Sequence, residues 1–558
     1  MKKLVCMLLG LVLALSSTAF AAELNAPGEF PVTNDTDATI NVFAPVSGDS
    51  NFDWNTNYMT GWYEEKTGVK VNWVGASSDV FIEKLNLALS SEEDIDMIVA
   101  QGNQSTYIST TMMVKYADQE LILPIEEYID NNTKYMKERL DSVDGFRTAL
   151  TTPDGHIYSM PWYNECYHCM YYGKMWVNTE FLKNCNLEAP TTIDEFRDML
   201  IAFRDQDANG NGDPNDEIPM IGAIDSYGAK IDTYLMCAFI YDDGQNRLMI
   251  NDDGQVIAVF TQPEFKEGLK YLAGLYSENL IYPDSFTENR TQRNEINSRK
   301  YESVCGAMPN IHHAIGSRDT DAGEPARFLE YEPIKPLVGP DGLQTTRVNY
   351  FDNFGLNGAT GIIPATCDQP ELVLQWADLL YTDEGIMMQD LGIKGVSWDD
   401  PDEGAIGVDG SPATYKKLTM TPDQEYYGNM NWGQIFPMFL SAEHRLGYQQ
   451  TEGMMAPDGS GTEAFLYYYS HENYAPYGIA QKNVVPPLYY SEEDASEIAM
   501  LQTNINTYVE ECIAKFIVGQ MDIDTEWDAF QAELKNMNID RYLEIIQTTY
   551  DASAFAGK

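Results

Sequence analysis

Short apolar strands and amphipathic helices alternate along the first part of the chain. Apolar runs at Ala38–Ala44, Val69–Val74 and Ile95–Ala100 have the length of strands, and Tyr58–Lys66 and Phe81–Leu89 between them have the helical pattern. A regular alternation of strand and helix indicates an α/β sheet with parallel strands. Ligands of such sheets bind beyond the carboxyl ends of the strands. The loops that follow these strands are therefore the first candidates for a binding site.

Polar and aromatic side chains follow these strands and recur in later loops. Sugar rings offer C–H-rich faces to aromatic side chains and hydroxyl groups to polar ones, so these loops favour a carbohydrate site. Most of the 35 tyrosines and nine tryptophans are expected in the core, so few should face a ligand. The candidate ligand-binding residues stand at strand ends or in aromatic loops: Asp53, Trp54, Gln101, Asn103, Trp162, Tyr163, Tyr167, Trp398 and Trp432.

Helices dominate much of the remaining chain. A capping box that begins at Thr192 opens one helix, and Pro263 and Pro370 each stand in the first turn of another. Near the carboxyl terminus the helical pattern covers 492–516 and 525–550. The protein is therefore expected to contain both helices and sheets throughout.

Length and composition indicate more than one globular unit. A chain of 558 residues exceeds a typical domain of about 100–200 residues, and 44% apolar residues suffice for large cores. The predicted organisation is a signal peptide (1–21), a loose leader (22–37), a first lobe (38–163) with a return segment around 345–400, a second lobe (164–344), and a remainder (401–558) that partly packs on both lobes.

The first 21 residues have the composition of a secretory signal. Lys2 and Lys3 precede an apolar run over Leu4–Leu15, and Ala19-Phe-Ala21 matches an A-x-A cleavage site. The apolar run is shorter than the roughly 20 residues of a membrane span. No cysteine stands at the cleavage point for a lipid anchor. The mature protein is expected to be exported: extracellular or at the cell surface, or periplasmic where an outer membrane exists.

The net charge is strongly negative. It is −51 at pH 7, and it becomes −53 once Lys2 and Lys3 leave with the signal, since 33 basic and 86 acidic residues remain. Such a surface repels nucleic acid and anionic membranes, and it disfavours strongly anionic ligands. Solubility outside the cell is the simplest role for this charge.

Seven cysteines remain after removal of the signal, an odd and scattered set that does not form a disulfide framework. Cys166-Tyr-His-Cys169 has C-x-x-C spacing, but no second pair follows at the spacing of a zinc site. The pattern favours buried thiols and leaves one disulfide open. His312 and His313 are neighbours and point to different sides of a strand or helix, which disfavours a shared metal.

A calcium loop is predicted after the helix that begins at Thr192. Oxygen-bearing side chains stand at every second residue of Asp207-Ala-Asn-Gly-Asn-Gly212. Ca²⁺ needs roughly 6–8 oxygen ligands, which alternate residues can supply while glycines let the backbone turn. An EF-hand would have glutamate where Ile218 stands, and here the loop closes on Asp216-Glu217 instead. A polar turn without a metal is the alternative.

No catalytic motif stands out. The chain lacks the nucleophile elbow, the zinc-protease pattern, the phosphate loop and the dinucleotide fingerprint. Carboxylate pairs suited to a glycosidase are always available among 86 acidic residues, so they carry no information. The sequence favours binding over catalysis, with a secreted glycoside hydrolase or lyase as the alternative.

Several stretches, in order along the chain, resemble the extracellular solute-binding proteins of bacterial ABC importers. The chain is most similar to the large calcium-containing oligosaccharide binders, which include the alginate-binding proteins. The first matching stretches are Trp62-Tyr-Glu-Glu-Lys-Thr-Gly68, Asp154-Gly-His-Ile-Tyr158, Tyr172-Gly-Lys-Met-Trp-Val-Asn178 and Pro190-Thr-Thr-Ile-Asp-Glu-Phe196. The later ones are Trp376-Ala-Asp378 with Glu384-Gly385, Gly395-Val-Ser-Trp398, Pro486-Pro487, and Trp527 with Arg541-Tyr-Leu543.

The resemblance implies a two-lobed α/β fold of the periplasmic-binding-protein type II kind, with a hinge and a ligand cleft between the lobes. It implies an ABC permease as partner and no catalysis. Calcium would be structural, and the implied ligands are Asp207, Asn209, Asn211, Asp213, Asp216 and Glu217. The expected function is capture of an oligosaccharide by lobe closure, by a monomer. A peptide or modified-sugar binder of the same fold is a further alternative.

Overall fold

Two mixed sheets covered by helices form the two lobes of the protein. The structure is a computed structural model, and it describes residues 23–46, 51–77, 80–91, 93–100, 108–224, 228–297, 303–312, 327–351, 358–450, 461–553 and 555–557.

The strands of the described residues are β1 (Thr39–Val46), β2 (Lys70–Ser77), β3 (Met97–Val99), β4 (Ile108–Ser109), β5 (Tyr163–Asn164), β6 (Lys174–Asn178), β7 (Ile218–Met220), β8 (Leu248–Ile250), β9 (Val256–Ala258), β10 (Cys305–Asn310), β11 (Tyr331–Ile334), β12 (Gly358–Ala359), β13 (Gly361–Ile362), β14 (Trp398–Asp399), β15 (Lys416–Lys417) and β16 (Phe439–Leu440).

The helices are α1 (Tyr58–Thr67), α2 (Phe81–Ser91), α3 (Thr110–Asp118), α4 (Glu126–Asn132), α5 (Tyr135–Ser142), α6 (Phe146–Leu150), α7 (Thr179–Asn184), α8 (Ile193–Asp205), α9 (Ile231–Met236), α10 (Pro263–Ser277), α11 (Arg290–Asn297), α12 (Pro370–Asp378), α13 (Asp383–Leu391), α14 (Ala442–Leu446), α15 (Thr462–Tyr469), α16 (Glu492–Ile517), α17 (Ile523–Asn536) and α18 (Ile539–Ala552). In the described part of the chain, these helices lack the combination of length and hydropathy that a membrane span requires.

Lobe 1 is built on a four-stranded sheet in the order β13-β3-β1-β2. β1 pairs in parallel with β2 and β3, whereas β13 returns from far along the chain and pairs antiparallel with β3. The alternation of strand and helix predicted for this region is confirmed, with small shifts at the strand ends. Aromatic rings fill much of the core, including Tyr63, Trp376 and Trp432, which are fully buried.

Lobe 2 is built on a second four-stranded sheet in the order β11-β6-β10-β7. β6 pairs antiparallel with β10 and β11, and β7 pairs in parallel with β10. The predicted capping box at the start of α8 is confirmed, because the Thr192 side chain accepts from the Glu195 N–H and the Glu195 carboxylate accepts from the Thr192 N–H. The loop 207–217 connects α8 to β7.

The carboxyl-terminal helices belong to the core of lobe 2. Val509 of α16, Phe530 of α17 and Ile545 of α18 are buried in the same cluster as Leu200 of α8. The helical stretch predicted over 525–550 is two helices, because Asn538 adopts a φ of 68° between α17 and α18. A left-handed residue interrupts a right-handed helix, and asparagine tolerates this conformation better than most residues.

The chain passes from lobe 1 to lobe 2 between β5 and β6. Tyr163 in β5 is buried in the core of lobe 1, whereas Tyr171 and Met175 are buried in the core of lobe 2. We name residues 166–171 between them the crossover turn. β5 pairs in parallel with β16, so the later segment of the chain that contains β16 lies beside this first crossing.

Candidate functional site

A disulfide closes the crossover turn. Cys166 and Cys169 are bonded to each other, with their Cα atoms 5.3 Å apart. The one disulfide that the sequence left open therefore forms within the C-x-x-C pair. The five other cysteines of the mature chain are free thiols, and four of them are buried, which confirms the prediction of buried thiols.

A buried lysine holds the crossover turn against lobe 2. The Lys174 side chain is fully buried at the start of β6, and its ammonium group donates to the carbonyl oxygens of His168, at 2.9 Å, and Tyr171. The same group lies 5.6 Å from the centre of the Tyr474 ring. Burial lowers the pKa of Lys174 to about 7, because the charged form loses its hydration. The turn is thus held by the Cys166–Cys169 disulfide and by the hydrogen bonds of the Lys174 ammonium group, whose burial costs hydration free energy.

A ring stack of three aromatic side chains lies beside the crossover turn: Tyr167 from the turn itself, Tyr467 from α15, and His471 from the π-helical turn Ser470–Tyr474 that follows α15. The ring centre of Tyr167 lies 4.9 Å from that of Tyr467, and the rings of Tyr467 and His471 lie 6.0 Å apart with their planes inclined by 20°. Tyr167 and Tyr467 are half-buried and His471 is exposed, so part of this group is accessible to solvent. Sequence analysis found Tyr167 but missed the other two. Their separation of four residues on one helical face was the available signal.

Three charged or polar side chains adjoin this stack. His168 Nδ1 lies 3.5 Å from Glu463 Oε2, and Arg445 approaches the same oxygen at 3.7 Å. Burial, helped by the positive charges of Lys174 and Arg445, lowers the pKa of His168 well below its ordinary value, so the ring is neutral at pH 7. A neutral imidazole can donate a hydrogen bond to a hydroxyl group or accept one from it, and a carboxylate can accept one.

A cavity of about 270 Å³ lies on the lobe 2 side of the contact between the lobes. Its lining comes mainly from lobe 2, including Asn246 and Arg347, and Thr110 at the start of α3 adds a residue of lobe 1. The backbone N–H of Asn349, also in the cavity wall, donates to the carbonyl oxygen of Met170 in the crossover turn at 2.9 Å. Small-molecule sites typically span roughly 300–1,000 Å³, so this cavity falls just below the lower end of that range.

Three of the predicted cleft residues are core residues of lobe 1, which corrects the prediction. Trp54 and Tyr163 are each 4% exposed, and Trp432 is fully buried. Trp54 stacks on Trp73 with ring centres 4.3 Å apart, and Trp432 Nε1 donates to Thr60 Oγ1 at 3.0 Å. Their rings therefore pack against other core residues and do not line a cleft. An aromatic residue flanked by polar neighbours gives the same sequence pattern whether it lines a cleft or fills a core.

The other candidates are more accessible or lie outside the described residues. Asp53 is exposed, and its carboxylate accepts from a backbone N–H two residues further on. Trp162 is half-buried against the core of lobe 1. Trp398 is half-buried, and its Nε1 donates to a backbone carbonyl of its own loop at 2.9 Å. Gln101 and Asn103 fall outside the described residues.

The loop 207–217 has buried carboxylate oxygens without donors. Among the described residues, Asp207 Oδ1 and Glu217 Oε2 are buried and accept no hydrogen bond. Burial raises the pKa of Glu217, as expected for a carboxylate that has lost water. Gly210 and Gly212 have φ values of 76° and 93°, which favour glycine and let the loop fold back. Orphaned carboxylate oxygens are costly unless a cation binds them.

The remaining predicted calcium ligands lie in the more open part of this loop. The Asp216 carboxylate accepts from the side-chain amides of Asn209 at 3.1 Å and Asn211 at 2.8 Å, and Asp213 accepts from the N–H of Asn215. In this fully described loop, no three carboxyl groups bring oxygen atoms within 4.8 Å of one another. The donor set is all oxygen and fits a hard cation, whose binding would draw the acidic side chains inward.

Two α/β lobes that enclose polar and aromatic groups beside a crossover define a protein that binds a solute between its lobes. Residues 53–387 match the family model of the bacterial extracellular solute-binding proteins, and the chain belongs to this family. It is therefore a binding protein and not an enzyme, which rules out the alternative of a glycoside hydrolase or lyase.

Similar proteins agree with this assignment. The chain is 28% identical over 498 residues to the fructooligosaccharide ABC transporter substrate-binding protein FusA of Streptococcus pneumoniae, covering 88% of this chain and 85% of FusA. Structures of FusA include a complex with kestose and an EF-hand mutant with fructo-nystose. The kestose complex matches 92% of this chain and 99% of that chain, with a TM-score of 0.73 and 25% identity.

The fold extends to more distant structures. The alginate-binding protein AlgQ2, solved without calcium ion, matches 93% of this chain and 98% of its own, with a TM-score of 0.63 and 18% identity. At this identity the similarity shows the fold alone. It confirms the predicted two-lobed α/β architecture of the type II solute-binding proteins.

Proposed function

We propose that this protein captures an oligosaccharide between its lobes and delivers it to the membrane-spanning subunits of an ABC importer. The observation that carries the proposal is the similarity to FusA over most of both chains. FusA is a fructooligosaccharide-binding protein, and fructooligosaccharides carry no charge. A neutral ligand also suits a chain whose net charge is −51, which would repel anions.

The groups around the crossover turn suit such a ligand. Tyr167 and Tyr467 offer ring faces, and Glu463 and His168 offer hydrogen bonds beside them. The adjoining cavity is lined mainly by lobe 2, with Thr110 from lobe 1, and would take a terminal ring. A solute that contacts both lobes stabilises the closed form through these differential contacts. A short oligosaccharide would place one ring in the cavity and the others along the tyrosines.

Thermal unfolding of the mature protein with a panel of solutes tests the ligand class. A ligand that binds only the folded form stabilises it by about 2.7 kcal/mol at a hundredfold excess over its dissociation constant. We expect a raised midpoint with kestose and longer fructans, and the sugar should be recovered unchanged. A shift with peptides alone would indicate a peptide binder of the same fold. A sugar recovered in fragments would overturn the proposal.

Two neighbouring tyrosines on α15 provide a matched pair of variants. Tyr467 belongs to the ring stack with Tyr167, whereas the Tyr468 side chain is 45% exposed. We expect Tyr467→Ala to weaken sugar binding roughly tenfold, which corresponds to about 1.4 kcal/mol, and Tyr468→Ala to leave it unchanged. Isothermal titration calorimetry measures both. Equal affinities for the two variants would place the sugar away from this stack.

We further propose that the loop 207–217 binds one structural Ca²⁺ that fastens α8 to β7. Two buried carboxylate oxygens without donors, on Asp207 and Glu217, support a cation there. The EF-hand mutant of FusA and the calcium-free AlgQ2 structure support calcium in particular. The proposed ligands are Asp207, Asn209, Asn211, Asp213, Asp216 and Glu217.

Chelation tests the calcium proposal independently of the sugar. We expect EGTA to lower the thermal midpoint and added Ca²⁺ to restore it. Glu217→Gln should abolish this sensitivity, whereas Glu188→Gln, an exposed glutamate outside the loop, should keep it. A midpoint that does not respond to EGTA, together with no calorimetric Ca²⁺ binding, would leave the loop as a polar turn.

Export of the protein follows from its family, and the predicted signal at 1–21 would direct it. These residues lie outside the described part of the chain, so the cleavage after Ala21 stays a prediction. Amino-terminal sequencing of the secreted protein checks it. A lipid-modified amino terminus would contradict the expectation of a free, unanchored chain.

A further inference from the structure

The crossover turn gathers three side chains that commonly bind transition metals. Cys166, His168 and Cys169 each place a ligand atom within 4.8 Å of the other two. The Cys166 Sγ lies 3.7 Å from His168 Nε2. Cys166 is buried and the other two are half-buried, so the cluster is shielded from water without being sealed.

One of these separations, between Cys166 Sγ and His168 Nε2, is close to an edge of a tetrahedral zinc site, whereas the two bonded sulfurs would have to move apart on reduction. With Zn–S of about 2.3 Å and Zn–N of about 2.0 Å, the tetrahedral angle sets a sulfur–nitrogen distance of about 3.5 Å. The observed 3.7 Å would need little adjustment. Two cysteines separated by two residues also have the spacing that places both thiolates on one metal.

The surroundings of His168 fit the same role. Its other ring nitrogen, Nδ1, lies 3.5 Å from Glu463 Oε2. Histidines that bind metals commonly donate their second N–H to a carboxylate, which fixes the orientation of the ring. Two thiolates would neutralise Zn²⁺, so the loaded turn would add no net charge beside Lys174 and Arg445.

We propose that reduction of the Cys166–Cys169 disulfide converts the crossover turn into a Zn²⁺ site formed by Cys166, Cys169 and His168. An external dithiol supplies the two electrons. Its two S–H bonds break as its own disulfide forms, and the two protons end on the cysteine sulfurs. Zn²⁺ then displaces these protons and binds the thiolates. In the oxidised turn the sulfurs are bonded to each other, so the site belongs to the reduced protein alone.

The metal would replace the disulfide as the cross-link within the crossover turn. Both the oxidised turn and the zinc-loaded turn link Cys166 to Cys169 through their sulfurs, and the reduced, metal-free turn has no such link. The proposal concerns the reduced protein, so it stands or falls independently of the oligosaccharide and of calcium.

Metal titration of the full mature protein tests the proposal without any substitution. Zn²⁺ is titrated in excess Ca²⁺ against a chromogenic chelator, with the dithiol-reduced protein compared with the untreated protein. The acidic surface binds zinc weakly in both forms, so the difference is the informative quantity. We expect one additional equivalent in the reduced form. Co²⁺ should give thiolate-to-metal charge-transfer absorption there as well. Equal zinc binding by the two forms would overturn the proposal.

Variants locate the site on the turn. Cys169→Ser should abolish the additional equivalent and the cobalt band, whereas Cys367→Ser, which removes a half-buried free thiol elsewhere, should keep both. Glu463→Gln should weaken zinc binding roughly 10–100-fold by releasing the histidine ring. Far-ultraviolet circular dichroism verifies that each variant is folded. A cobalt band that survives in reduced Cys169→Ser would refute the assignment.

Discussion

Replacement of Lys174 by methionine should remove a pH dependence of stability that the crossover turn imposes on lobe 2. The buried ammonium group donates to two backbone carbonyl oxygens, and its pKa in the folded protein is about 7. In an unfolded chain the pKa of lysine is about 10.4. The folded value is the lower one, so the unfolded state binds more protons between these two values. The free energy of unfolding therefore rises with pH across this window.

The size of the effect follows from the difference in bound protons. That difference is about one half at pH 7 and approaches one above pH 8. Integration from pH 7 to pH 9, at about 1.4 kcal/mol for each proton and pH unit, gives about 2 kcal/mol of added stability from Lys174 alone. Other groups also titrate in this range. The quantity to compare is therefore the change in the free energy of unfolding from pH 7 to pH 9 in the wild type, minus the same change in Lys174→Met.

Urea unfolding at pH 7 and pH 9, in excess Ca²⁺, measures this quantity. We expect the free energy of unfolding to rise by about 2 kcal/mol more in the wild type than in Lys174→Met between the two pH values. Lys183→Met is the matched control, because the Lys183 side chain is 73% exposed in the adjoining α7, and it should retain the wild-type change. If Lys174→Met and wild type show the same change, the lysine is not buried as a strained cation.

Three further substitutions test the core, the ion pairs and one of the remaining cleft candidates. Trp432→Ala should lower the free energy of unfolding by about 3–5 kcal/mol without changing sugar affinity, because the ring fills the core of lobe 1. Arg247→Met should cost about 3–5 kcal/mol at pH 7, since it leaves Asp232 and Asp242 buried without their cation. Its cost in urea unfolding should shrink at pH 5 as the Asp242 carboxylate takes up a proton, since burial raises the pKa of this group to about 6. Trp398→Ala should weaken sugar binding while leaving the thermal midpoint nearly unchanged, and a collapsed midpoint would make Trp398 a core residue.

Much of the fold could be predicted because it rests on local patterns. The period-two and helical patterns of β1 to α2 follow from short-range alternation, and the cap at Thr192 is a four-residue motif. The break at Asn538 escaped prediction, since an asparagine within a helical pattern does not reveal a left-handed φ. The predicted return segment around 345–400 contains β13, but its pairing with β3 was not predicted, because the two strands lie far apart in the chain.

The candidate site was harder to predict for the same reason. Tyr167 meets Tyr467 only through the fold, and some 300 residues separate them. Trp54 and Tyr167 share a polar and aromatic context, yet one fills a core and the other lies at the crossover. The oxygen pattern of the loop 207–217 was visible because all its members are neighbours in sequence. A site formed by neighbours in the sequence could therefore be predicted, whereas a site that forms when distant segments meet in the fold could not.

The position of α16, α17 and α18 in the core of lobe 2 has a consequence for how the protein comes to be folded. The buried residues of the lobe 1 core end at Leu440, whereas those of lobe 2 run from Tyr171 to Tyr550. A chain that emerges amino terminus first during its synthesis can complete lobe 1 while lobe 2 still lacks its last helices. Until they arrive, α8 and α10 keep apolar faces in water, and contacts so distant in sequence form slowly. The half-emerged chain is then the form most exposed to aggregation and to proteases.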